Sequence, residues 1–193
     1  MNTAAIILAA GFSRRFGSSK QNLTIAGETL IDRSYRIATE AGCQPIYLVV
    51  NHLHDAKNDY TKLVNPDSND GMGSSLALAA KKLIEFHPNT EKALIILPDQ
   101  PAITAKHLIK LSVLCSSPEK SISIAKHHNI HGPPACFHHK HFPELTKLSG
   151  DHGGKSIIQK NKSSVSKVHI PEAHWDIDTP KVWKEYLQSI KSS

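Results

Sequence analysis

Aromatic side chains make up only 6% of this 193-residue chain, too few for the stacking platforms that grip single-stranded nucleic acid or sugars. Cysteine is scarcer: Cys43, Cys115 and Cys136 are odd in number and far apart. They offer neither a disulfide framework nor a CxxC metal or redox pair, which fits a reducing compartment. No GxSxG elbow occurs, so the usual serine-hydrolase signature is missing. The apolar run near the N-terminus is too short to span a bilayer and has no basic segment before it, which disfavours a membrane anchor or leader. No block of five like charges occurs, so no basic patch for nucleic acid is defined. These absences predict a cytoplasmic protein with neither nucleic-acid nor membrane partners.

What the chain does have is a net charge of +6 with a pI near 9.2, which favours anionic ligands such as phosphorylated small molecules. A hydrophobic content of 39% is ordinary for a globular protein, and the length suits a single domain over 1–193. Apolar runs at 4–10, 46–50, 62–64, 93–97, 121–125, 133–137 and 165–169 predict strands. Amphipathic stretches between them predict helices at 29–41, 74–85, up to 114 after a Thr104 cap, 142–148 and 153–160. A last helix has Thr179 as N-cap and Pro180 in its first position. The alternation predicts a three-layer, Rossmann-like α/β fold with a mostly parallel central sheet.

In such folds ligands bind beyond the carboxyl ends of the strands. The loop after the first strand, Ala9 to Lys20, combines small residues with Arg14, Arg15 and Lys20. Exposed backbone N–H groups and cations are what a triphosphate requires, although composition alone suits a solvated surface loop equally well. The loop is not a Walker motif, and Gly71-Met72-Gly73 lacks the third glycine of a dinucleotide fingerprint. Asp99 follows the 93–97 strand, where a carboxylate can hold Mg²⁺ or simply cap a turn. Asp176 and Asp178 share one side of an extended segment and are also suited to a helix N-terminus. Asn65 to Leu76 reads as a glycine-rich turn opening a helix, with Ser74 or Ser75 as possible N-caps. Most of the 13 histidines have no zinc spacing and read as exposed loop residues. Cys136 reads as a small buried apolar residue.

Leu8-Ala-Ala-Gly-Phe-Ser-Arg-Arg-Phe-Gly-Ser-Ser-Lys20 resembles the LAxGxSxRxGxxK opening of the MobA-like nucleotidyltransferases, and within them the molybdenum cofactor cytidylyltransferases most. Leu97-Pro-Asp-Gln-Pro101, Asn65 to Leu76, Gly132 to Phe137, Leu148 to Lys155 and Asp176-Ile-Asp-Thr-Pro180 resemble further family segments in family order. Departures are Phe16 for methionine, Pro133 after its glycine, and Gly154-Lys155 for alanine-arginine. The resemblance implies CMP transfer from CTP to a pterin-phosphate acceptor, with release of pyrophosphate. It further implies Lys20, Arg15 and Asp99 as catalytic residues, and Mg²⁺ on Asp99 and Asp178. The nucleotide contacts it implies are Leu8, Ala9, Ala10, Gly11, Ser13, Arg14, Gly17, Asn65, Gly71, Ser75 and Pro98. Ala10, where guanylyl-transferring members tend to carry glycine, favours CTP. Alternatives are a GTP-using or sugar-phosphate transferase, or a non-catalytic protein delivering cofactor to a molybdenum enzyme.

Overall fold

Strand β1 (Thr3–Leu8) is buried at every position, as expected of a strand covered on both faces. The computed structural model describes residues 2–11, 23–51, 61–151 and 153–191. Around β1 are strands β4 (Ile46–Val50), β5 (Thr61–Val64), β6 (Lys92–Ile96), β7 (Ile122–His127), β8 (Ile130–His138) and β9 (Val165–His169). They form a seven-stranded sheet of order β5-β4-β1-β6-β8-β7-β9. The pairs β5–β4, β4–β1, β1–β6 and β7–β9 are parallel; only β8 runs against its neighbours. A small hairpin, β2 (Thr24–Ile25) and β3 (Glu28–Thr29), lies apart. The helices are α1 (Leu30–Glu40), α2 (Met72–Phe86), α3 (Ala105–Leu114), α4 (Phe142–Leu145), α5 (Lys155–Lys160) and α6 (Pro180–Lys191).

Because successive strand residues face opposite ways, the core divides in two. Ile7, Leu48 and Ile96 pack with Ile37 of α1 and Leu108 and Leu111 of α3. On the other face Ile6, Val49, Ile95 and Phe137 pack with Leu76 and Leu83 of α2, Leu145 of α4 and Ile157 of α5. The three-layer, mostly parallel arrangement is the one the alternating pattern predicts. No described helix is long and apolar enough to cross a membrane. All three cysteines are buried free thiols, and burial alone pushes Cys43 up to about 12, which suits packing rather than reactivity.

Several boundaries differ from the sequence-based expectation. Strand β1 stops at Leu8, and Ala9 and Ala10 continue only as a loop, with the Ala9 N–H donating to Val49 O at 2.8 Å. Helix α2 starts at Met72 with Gly71 as its N-cap, so Ser74 and Ser75 lie inside the first turn and do not cap it. Helices α4 and α5 are shorter than the expected 142–148 and 153–160; Gly150 and Gly153 adopt positive φ between them. Helix α6 begins as predicted, with the Val182 N–H donating to the Thr179 hydroxyl at 3.3 Å. Its Tyr186 is buried beside the rings of Trp175 and Trp183, at 5.4 and 6.2 Å, and so anchors the segment before the helix.

The expectation of exposed histidines fails at His141, which is 2% exposed. Its Nε2 pairs with the Ser121 hydroxyl at 2.9 Å, and a Glu144 carboxylate oxygen lies 3.6 Å from Nδ1. The grouping has the composition of a hydrolytic triad, but Ser121 is fully buried and presents no nucleophile to solvent. Its role is to close the core beneath α4. Burial first, then the Lys140 charge, holds His141 below the ordinary histidine range, against the opposing effect of Glu144. A histidine depressed in the fold contributes its full stability above the unfolded value of about 6.5, and that contribution is lost as pH falls towards the folded value. Urea midpoints should therefore fall between pH 7 and pH 5, and His141→Asn, which keeps a hydrogen-bonding side chain but cannot titrate, should flatten that dependence. An unchanged slope in His141→Asn would remove His141 from the account.

Candidate active site

Parallel pairing of β1 with β6 sets Ile7 opposite Ile96, so both strands end at the same edge. Leu8, Ala10 and Gly11 leave one strand there, and Leu97 and Asp99 leave the other. All five line a cavity of about 390 Å³, which Gly71, Met72 and Ser75 at the start of α2 close from above together with Ser68, Asn69 and Asp151. The small residues after β1 and the start of a 15-residue helix border this cavity, a setting suited to an anion. Ser13, Arg14, Arg15, Gly17 and Lys20 lie outside the described residues.

At the same edge Asp99, Asp176 and Asp178 converge, each with a carboxylate oxygen within 4.8 Å of the other two. The cause is the residue between the last two. Ile177 is fully buried and its N–H donates to Asp99 O at 2.8 Å. This locks the extended segment against the β6 loop and turns both flanking carboxylates towards Asp99. Gln100, also buried, donates from Nε2 to Pro133 O at 3.1 Å and fixes the loop to β8. His127 ends β7 at this edge; burial, then His128, His174 and His131, hold its imidazole below the ordinary range.

Three expected nucleotide contacts occupy supporting positions. Ala9 packs in the core on the opposite face of the sheet, because strand alternation turns it away from Leu8 and Ala10. Pro98 is buried, and it is Leu97 that reaches the cavity. Asn65 is 3% exposed and donates from Nδ2 to the Ser74 and Ser75 hydroxyls, both at 2.9 Å, holding the start of α2 in place. Ser68, Asn69, Met72, Leu97 and Asp151 also line the cavity, beyond the expected contacts. The alternation of Asp176 with Asp178 is the signal in the sequence for the third carboxylate.

Asp151 arrives from a distant segment. The Gly73 N–H donates to Gly150 O at 2.8 Å, clamping the 149–151 turn onto α2. A second cavity, of about 530 Å³, adjoins the first and shares Met72, Leu97 and Asp151 with it. Phe137 and Gly154 line this second space, and a Cβ at Gly154 would fall 2.8 Å from the Phe137 ring. An alanine there would require the Phe137 ring to shift.

A parallel-centred sheet with a small-residue cradle after its first strand, a carboxylate after the neighbouring one and two abutting cavities defines an α/β nucleotidyltransferase. Residues 5–165 match the MobA-like NTP transferase domain, and the chain belongs to that family. It is 26% identical over 192 residues to the purine catabolism protein PucB of Bacillus subtilis, covering 91% of each chain. A shorter segment is 46% identical over 46 residues to a probable molybdenum cofactor guanylyltransferase of Opitutus terrae, covering 24% of this chain and 23% of that one. In structure it is similar to Rv0371c of Mycobacterium tuberculosis, with a TM-score of 0.81, 24% identity and coverage of 97% and 99%. That protein has also been solved in complex with manganese, at a TM-score of 0.76 and 23% identity over 98% and 100% of the two chains.

Gly71 sits at a φ of +89°, and a Cβ there would clash with Asp151 Oδ1 and fall 2.6 Å from the Gly150 backbone. Gly71→Ala should therefore cost about 1–3 kcal/mol in urea unfolding and weaken nucleotide binding. Gly11→Ala, which meets nothing within 4 Å among the described residues, should change stability by less than about 0.5 kcal/mol. Equal stability of the two variants would show that the α2 turn tolerates what its geometry forbids.

Proposed function

We propose that this nucleotidyltransferase moves CMP from CTP to the phosphate of the molybdenum-cofactor pterin, releasing pyrophosphate. The observation that carries the transferase chemistry is the convergence of Asp99, Asp176 and Asp178 within 4.8 Å beside a cavity walled by Leu8, Ala10 and Gly11. An all-carboxylate donor set suits a hard divalent cation such as Mg²⁺, with Asp99 and Asp178 as its principal holders and Asp176 beside them. When bound, such an ion neutralises phosphate charge and orients the reacting oxygens. The backbone around Ala10 and Gly11 supports the triphosphate, Lys20 stabilises charge at the α-phosphate, and Arg15, with Arg14 beside it, holds the outer phosphates.

The acceptor phosphate already carries its negative charge at neutral pH, so attack on the α-phosphorus needs positioning more than proton abstraction. Met72, Leu97 and Asp151, common to both cavities, mark where the two substrates meet. Ala10 in the Leu-Ala-Ala-Gly opening supports cytosine. The segment similar to a guanylyltransferase supports the molybdenum-cofactor class and makes GTP the second candidate.

A coupled pyrophosphate assay with Mg²⁺ and molybdenum-loaded pterin tests the reading. CTP should turn over faster than GTP, and Lys20→Ala and Asp99→Asn should each lower kcat by roughly 10²-fold or more. Faster GTP turnover would move the base assignment, whereas no pyrophosphate from any triphosphate, or near-normal turnover by Lys20→Ala, would overturn the mechanism.

A further inference from the structure

The larger cavity is unlike a phosphate site along most of its length. Its walls are Leu76 of α2, Ile95 of β6, Ile124 of β7, Phe137 of β8 and Ile158 of α5, so its interior offers side-chain carbon to a ligand. Among the described residues three lysines line it, and Lys155, at the start of α5, is the one next to the Gly153-Gly154 turn. Lys162, in the turn after α5, and Lys167, on the edge strand β9, both line it. Both are exposed, and neither forms an ion pair among the described residues. On β9 the alternation that turns Val168 into the opposite core turns Val165 and Lys167 into this cavity.

The positions of these lysines matter more than their number. The meeting point of the two cavities is at Leu97, directly after β6. Strand β9 is separated from β6 by β8 and β7, and three strand spacings amount to roughly 14 Å. An anion held by Lys162 and Lys167 is therefore too far from the meeting point to be the group that attacks the nucleotide. We propose that the larger cavity takes an acceptor with an apolar, ring-sized body and a second anionic group at its far end, held by Lys162 and Lys167. Calling this ligand the acceptor rests on the transferase reading; the binding itself does not, and neither depends on the acceptor being a pterin.

Calorimetry with the full chain tests this using naphthalene-2-sulfonate, 2-naphthol and inorganic sulfate as probes. The sulfonate, which combines ring and charge, should bind at least roughly 10-fold more tightly than either partial probe. The paired change K162E/K167E should weaken it by roughly 10-fold or more, and K162Q/K167Q by less, with Mg-CTP affinity within about two-fold of the parent. K81E/K184E, which makes the same change of charge at exposed lysines outside the cavity, should leave it unchanged. Equal binding of 2-naphthol and the sulfonate, binding unaffected by K162E/K167E, or an equal loss in K81E/K184E would each overturn the proposal. Failure of Mg-CTP to bind while the sulfonate binds normally would instead count against the transferase reading and leave the cavity assignment standing.

Discussion

The register of β1 against β6 is the constraint on which the rest of the structure depends. With Ile7 opposite Ile96, the chain leaves both strands at one edge, and the small-residue turn after the first faces the carboxylate after the second. A shift of one residue along either strand would reverse its side chains between the two cores, and along β1 it would turn Leu8 away from the cavity. Burial on both faces makes that shift expensive, since Ala4 to Ile7 and Ala93 to Ile96 are each no more than 3% exposed. The energy that defines the sheet is thus the energy that positions the site.

The second structural requirement is that distant segments close on that edge. The 149–151 turn packs against glycines at the start of α2 so tightly that no Cβ fits at Gly71 or Gly73. This brings Asp151 to the boundary between the two cavities. The last acidic segment is held differently, by the buried side chain and N–H of Ile177 and by the aromatic contacts of α6. Both devices use backbone hydrogen bonds and close packing.

Much of this was legible in the sequence. Continuous apolar runs marked β1, β4 and β6 because a strand covered on both faces has no polar side to display. Asp176 and Asp178 were readable as sharing one side through the period of an extended chain, and Asp99 through its place after a strong strand. What was not legible depends on contacts between remote residues. Nothing in the order of residues states that Gly150 caps Gly73, that Asp151 reaches the cavity, or that His141 is buried beneath Ser121. The two-residue shift at the start of α2 has the same origin, because a helix turn favoured by Ser74 locally is overridden by the clamp on Gly73.

The central claim is that the end of β1, the end of β6 and the acidic segment before α6 enclose one metal–nucleotide site. Paramagnetic broadening of methyl resonances by Mn²⁺ in the presence of CTP tests it most directly. The account predicts that Ala10, Met72 and Leu97 broaden first while Leu83, further along α2, stays sharp. Broadening that spares Ala10 and Leu97, or that is the same with and without nucleotide, would contradict it.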